Sequence, residues 1–461
     1  VYFNPFVYEG SKAWQELADK GWLVQTEAGG NYTFGGAKFT DTGLLDVFHP
    51  EARAWAVGKM QAAIALGADG WMNDFAEWLP TDAVTAKGSG ADVHNEYPVA
   101  WQQIAREAID TAPDQSSERL FFGRSGWFGT PALADVIWAG DQRTTMDVDD
   151  GLPTIIPIGV GLGLVGVSTY GHDIAGYQAA SNAGSTKETF FRWTSLGAWS
   201  PVMRTHHGNQ PSKNWNWEKD AATIAHFRRY AELHMSLVPY LESLARTAST
   251  TGLPIWRALA IHYPQDAAVW PITDQVMVGE HIMIAPIQQP GATSREVYLP
   301  AGRWYPWAAG ASIDGGGHIV ANAPIEDIPV FVRAGTIVGT YASGVMTLVN
   351  ESASVPGPST LPGRVVYVFL GASDHHDETL ASGKVASYRL EHLSDAAGTV
   401  ELLWNGAPLA ACGSAPCAAG DAVDVVGPGT LELRAGAEAA ARVVIAGVTA
   451  DAPLRIVLRR P

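Results

Sequence analysis

Residues 67–80 read GADGWMNDFAEWLP, and residues 135–142 read DVIWAGDQ. In each, a short apolar run of the kind that fills a buried strand gives way to an aspartate, Asp74 in the first and Asp141 in the second. Strand ends are rich in Asp for reasons of turn chemistry alone, so neither aspartate marks a site by itself. What matters is how many other runs share the pattern. VYFNPF from Val1, LFFGRS from Leu120, VGVSTYG from Val165 and SPVMRTH from Ser200 are also apolar runs that end in polar or charged residues. Amphipathic stretches separate them, which reads as βα units around a parallel sheet. In a (β/α)₈ barrel the chemistry sits at the carboxyl ends of the strands, where Asn4, Asp74, Arg124, Asp141, Asp173 and His206 fall.

The fold class expected is therefore α/β, a (β/α)₈ TIM barrel. Six strands are legible where eight are required, so the first strands are expected to lie upstream of Val1. Residues 221–247 carry apolar positions at helical spacing, interrupted by Pro239, which should kink or break the run. Beyond it the text changes to short strand-like pieces such as HIMIAPI, EVYLP and PVFVRAG, then to VVYVFL, TVELLW, TLELRAG, ARVVIAG and LRIVL. We divide the chain into a catalytic barrel over 1–250, partial at its start, a proximal β domain over 251–340, and a distal β-sandwich over 341–461.

The chain has 461 residues, 47% of them hydrophobic and 17% charged, enough for two or three domains. Its net charge of -17 argues against nucleic acid, whose binders need clustered Lys and Arg. The longest apolar run, IIPIGVGLGLVGV, is too short and too broken by Pro157 and glycines to span a bilayer. Cys412 and Cys417 flank Gly-Ser-Ala-Pro, which leaves open a local disulfide or two free thiols. The compartment, cytoplasmic or exported, and the oligomeric state stay open.

Cleaving a sugar acetal with retention needs two carboxyl groups across the bond, one a nucleophile and the other a proton donor. Asp74 and Asp141 are far enough apart for two βα units, so after barrel strands they would line one mouth. The nucleophile calls for positive charge and hydrogen bonds, the acid for burial and an opposing negative charge. Arg124 in FFGRSGW and His206 in MRTHHGN are natural donors to hydroxyls, although a structural ion pair explains Arg124 equally well and a capped or hydrogen-bonded loop histidine explains His206 somewhat better. The chain has 17 Trp; Trp71, Trp78, Trp127 and Trp138, close to the aspartates in sequence, offer flat apolar surfaces for sugar rings or for core packing.

Other patterns carry less. His172, His206 and His207 lack any metal-ligand spacing. Gly161, Gly163 and Gly166 match a dinucleotide loop, but the next residues, VSTYGHD, read as strand, and these glycines are expected to allow close packing. Asp147, Asp149 and Asp150 miss a calcium loop because Gly151 stands where a ligand should. No Gly-x-Ser-x-Gly elbow occurs.

Over roughly residues 1–340 the chain resembles glycoside hydrolase family 31, the retaining α-glycosidases. Asp74 in WMNDFAEWLP matches the family nucleophile and Asp141 in WAGDQ its acid/base. Arg124, His206 and Asp173 in GHDIAGY match positions that line the pocket for the cleaved sugar. The resemblance implies a small carbohydrate or glycolipid-headgroup substrate, no cofactor and no metal. Within the family the wording is most similar to the sulfoquinovosidases, through DFAEWLPTD, Gln142 after the acid/base, and Tyr177, whose counterpart helps to hold the sulfonate. Trp138, beside the acid/base, is a further substrate-binding candidate. Two departures stand at the nucleophile: Asn73 replaces a small residue before it, and Ala76 a glycine after it. The competing expectations are an α-glucosidase, α-xylosidase or α-transglucosylase of the same family, and, in another class, a non-catalytic carbohydrate-binding protein.

Overall fold

The computed structural model describes residues 1–35, 41–114, 119–179, 184–307, 312–341 and 344–360, and eight further strands between residues 363 and 459. They form two compact units, Val1–Gly140 and Asp141–Pro461. Cys412 and Cys417 lie outside the described residues.

In the first unit four strands run parallel: β1 (Tyr2–Phe3), β2 (Gly70–Asn73), β3 (Leu120–Gly123) and β4 (Val136–Trp138), hydrogen-bonded in that order. Their registers are Tyr2 with Met72, Gly70 with Leu120, and Phe122 with Val136. Parallel neighbours need a crossover, and helices supply it. Helix α1 (Pro50–Ala65) begins with Pro50 in its first turn, where the missing N–H costs nothing, and Glu51 favours the positive end of the dipole. Helix α2 (Glu96–Asp110) buries Tyr97, Ile104, Ala105 and Ala108 completely. These spacings of three, four and seven residues set one apolar stripe toward the sheet.

The second unit begins with helix α3 (Ile155–Leu164), followed by the parallel strands β5 (Tyr170–Ile174) and β6 (Val202–Thr205). The strand expected from Val165 thus starts five residues later. The apolar run before it is a helix that buries Ile155, Ile156, Gly159 and Gly163 and leaves Leu164 exposed, and Gly166, at φ 96°, ends it. Gly163 does serve close packing, since a Cβ there would lie 2.9 Å from Pro254, but Gly161 has nothing within 4 Å. Helix α4 (Lys187–Gly197) is capped by Thr186, which accepts from the Thr189 N–H. Its Phe190, Phe191 and Leu196 are buried, each burial stabilising by about 2 kcal/mol. The long helical stretch breaks at Leu237 into α5 (Ala221–Ser236) and α6 (Val238–Thr251), with Pro239 in the first turn of the second.

The β region carries an antiparallel sheet that includes Val276–Val278, Ile282–Ile284 and Val330–Arg333, and a separate pair, Ser294–Leu299 with Gly317–Asn322. Further on, Thr336–Tyr341, Gly363–Phe369, Leu454–Arg459 and Val423–Val426 form one antiparallel sheet in that order. A second sheet runs His375–Thr379, Val385–Glu391, Gly398–Asn405, Ala441–Val448 and Thr430–Ala435. Among the described residues no helix is long and apolar enough to cross a membrane.

Candidate active site

Asn4, Asp74 and Arg124 each follow directly on one of the first three parallel strands, so they share one edge of the first unit's sheet. Asp74 is 5% exposed. Its N–H donates to Phe3 O at 2.8 Å, continuing the strand ladder one residue beyond β2. Its Oδ1 accepts the Phe75 N–H at 2.8 Å and lies 3.4 Å from Arg124 Nη1; its Oδ2 accepts the Tyr2 hydroxyl at 2.6 Å. Burial, and then the bond to Asp74, push the Tyr2 phenol well above its ordinary pKa. Arg124 also pairs with Glu77 and lays its guanidinium over the Phe75 ring, 3.9 Å from the centroid.

The loop after Asp74 is unusual. Phe75 and Ala76 both have positive φ, 59° and 86°, in a region that costs non-glycine residues about 1–2 kcal/mol each. The surroundings hold it there. Asn73, fully buried, donates to Gln102 Oε1 at 2.9 Å, Gln102 donates to Ser125 O at 3.1 Å, and the Ser125 hydroxyl donates to Phe75 O. Both departures noted in the sequence thus have a place: Asn73 anchors this chain of bonds, and Ala76 adopts the conformation that glycine adopts without strain.

The tryptophans divide. Trp71 and Trp138 are each 2% exposed, Trp71 stacked on Phe121 and Trp138 edge-on to Phe122, so of the two expected uses both serve core packing. Trp78 and Trp127 are exposed.

In the second unit Asp141 is half-buried and Gln142 buried. Gln142 O accepts from the N–H groups of Tyr177 and Gln178, at 2.8 and 2.9 Å, which ties the Asp141 loop to the loop after β5. Gly176, at φ 75°, makes that approach feasible; a Cβ would sit 2.5 Å from Arg143 O. Asp173 lies within β5 rather than after it, is 1% exposed, and pairs with Arg204 of β6 at 2.6 Å. Tyr177 and His206 meet edge to face with centroids 5.0 Å apart. His206 Nδ1 accepts the Gly208 N–H at 2.9 Å, which leaves the proton on Nε2 as a donor. Partial burial, then Arg204 and His207, lower its pKa and favour that neutral form.

His172 does not join His206 and His207. Its Nδ1 accepts from Trp193 Nε1 at 3.0 Å inside a cage with Tyr170 and Trp256, and burial lowers its pKa to about 3. No group of metal-ligating side chains occurs among the described residues. The carboxylate of Asp147 accepts the N–H groups of Asp149 and Asp150 at its own turn.

Three residues at these sites escaped the sequence reading. Glu77 and Arg204 stand inside the quoted motifs, three after Asp74 and two before His206, where their charge was the available signal. Tyr2 gave none, because a tyrosine in an apolar run reads as core.

The chain belongs to glycosyl hydrolase family 31: residues 1–244 match that family's TIM-barrel domain and residues 252–338 its C-terminal domain. It is 36% identical over 337 residues to a sulfoquinovosidase of Escherichia coli (strain K12), covering 72% of this chain and 49% of that protein. It is 31% identical over 335 residues to an isomaltosyltransferase of Sporosarcina globispora, covering 70% of this chain and 30% of that protein. A solved structure of a family 31 sulfoquinovosidase from E. rectale, in complex with the aza-sugar inhibitor IFGSQ, superposes with a TM-score of 0.69 at 31% identity. It covers 73% of this chain and 50% of that one. The chain thus spans about half the length, or less, of these relatives. The expected fold class holds: a TIM barrel followed by C-terminal β structure.

Proposed function

We propose that the full-length protein is a retaining α-glycosidase. Asp74 attacks the anomeric carbon, Asp141 protonates the leaving oxygen, and Asp141 then deprotonates the water that hydrolyses the glycosyl-aspartate. The observation that carries this reading is the setting of Asp74: a buried carboxylate at a strand's carboxyl end, oriented by a backbone N–H, a phenol and an arginine. For Asp141 the support is its motif and the loop that holds it. Arg124, His206, Asp173, Tyr177, Gln142 and Trp138 are the proposed substrate-binding residues.

The proposed substrates are α-sulfoquinovosides such as those derived from sulfolipid headgroups. The family 31 sulfoquinovosidases among its relatives support this, as do Gln142 and Tyr177. Comparing hydrolysis of an aryl α-sulfoquinovoside with that of an aryl α-glucoside tests it; preference for the glucoside would sink the sulfonate reading. The isomaltosyltransferase relative favours a second reading, transfer to a sugar acceptor. Oligosaccharide products formed at the expense of free sugar would establish it. A 2-fluoro glycosyl donor that labels Asp74 would exclude a non-catalytic binding protein.

A further inference from the structure

In the reaction proposed above Tyr2 orients Asp74 but forms no bond to the substrate and transfers no proton. Its hydroxyl donates to Asp74 Oδ2 at 2.6 Å. Strand pairing fixes the two relative to each other, through Tyr2 beside Met72 and the Asp74 N–H on Phe3 O. The direction of the bond follows from its chemistry: an ionised carboxylate only accepts, so the phenol's own proton points to Asp74. Oδ1 of Asp74 has other partners, Phe75 N–H and Arg124.

The charge on Asp74 changes twice in the proposed cycle. First its oxygen bonds to the anomeric carbon while the bond to the leaving oxygen breaks, that oxygen taking a proton from Asp141; Asp74 is then a neutral ester. Next a water oxygen bonds to the anomeric carbon, the ester C–O bond breaks with its electron pair returning to Asp74, and the water's proton passes to Asp141. Tyr2 keeps its proton throughout. A hydrogen bond to a carboxylate is roughly twice as strong as one to a neutral oxygen, so the Tyr2 bond weakens in the first step and strengthens in the second.

Resting on the glycosidase reading, we infer that Tyr2 is a positioning residue that makes Asp74 a better leaving group and so speeds release of the bound sugar. The test uses Tyr2→Phe in the full-length protein, on an aryl α-glycoside that the parent hydrolyses. The expected result is a fall in kcat of about tenfold with a parallel fall in KM, leaving kcat/KM within about threefold. Mass spectrometry of the enzyme at steady state should show more glycosyl adduct on Asp74 than in the parent. Placing 3-fluorotyrosine at position 2, the same shape with a stronger donor, should move adduct occupancy the other way, which keeps the idea testable if the phenylalanine variant folds poorly. An unchanged kcat and KM, or a lower kcat/KM without adduct, would overturn the role of Tyr2 while leaving the glycosidase reading intact. A parent that takes no label at Asp74 from any fluorinated donor would overturn that reading, and the inference with it.

Discussion

Arg204 and Asp173 stand directly opposite each other on the parallel strands β6 and β5, with Nη2 2.6 Å from Oδ1. The carboxylate is 1% exposed, so its charge is tolerable only beside a cation. Arg204→Met should lower stability by about 3 kcal/mol in denaturant titrations. Adding Asp173→Asn should recover part of that loss. Additive effects of the two changes would mean that the pair is not coupled.

Arg124 spans two carboxylates, Asp74 and Glu77, from one guanidinium. Lysine keeps the charge and loses the planar fork. Steady-state kinetics of Arg124→Lys should therefore show kcat/KM reduced by about 100-fold, and Glu77→Gln a smaller loss, under about tenfold. A fully active lysine variant would show that charge alone suffices.

Gly176→Ala places a methyl group 2.5 Å from Arg143 O at a φ of 75°. We expect a cost of about 3 kcal/mol. Because the loop must move away from Gln142 O, activity should fall more than stability explains. A melting curve and a kcat/KM that both match the parent would contradict the close approach.

His172 and His226 are held neutral by burial, with pKa values lowered to about 3 and about 4 from an ordinary 6.5. Between pH 6.5 and those values the unfolded chain binds protons that the folded one refuses. Their contribution is thus complete above pH 6.5, declines as pH falls, and is fully lost below the folded values. Each costs about 1.4 kcal/mol per pH unit inside the window, or roughly 2 kcal/mol by pH 5. His172→Asn, whose Oδ1 can accept from Trp193, should flatten the slope of stability against pH by about one proton. An unchanged slope would show that His172 does not titrate on unfolding.

Much of this architecture was legible because strand ends and apolar runs are local properties. Asp74 and Arg124 fall where the alternation of strand and helix puts them, and Pro239 breaks its helix as an imino acid must. Residues 155–167 were not, because an apolar run with neither alternation nor a polar face fits a buried helix as well as a buried strand. Nor were the roles of the tryptophans, because burial depends on neighbours distant in sequence: Trp71 is enclosed by Phe3 and Phe121. Tyr2 meets Asp74 only through strand pairing across 72 positions.

Arg192, in helix α4, is 1% exposed and donates to the carbonyls of Ala292, Ala323, Pro324 and Asp327. One barrel side chain thus closes the hydrogen-bond account of two loops in the β region. Those loops cannot lift away without stripping a buried guanidinium of its four carbonyl acceptors, so helix and loops open as one cooperative block. In amide hydrogen exchange, helix α4 and the strands that flank these loops should share a single opening free energy.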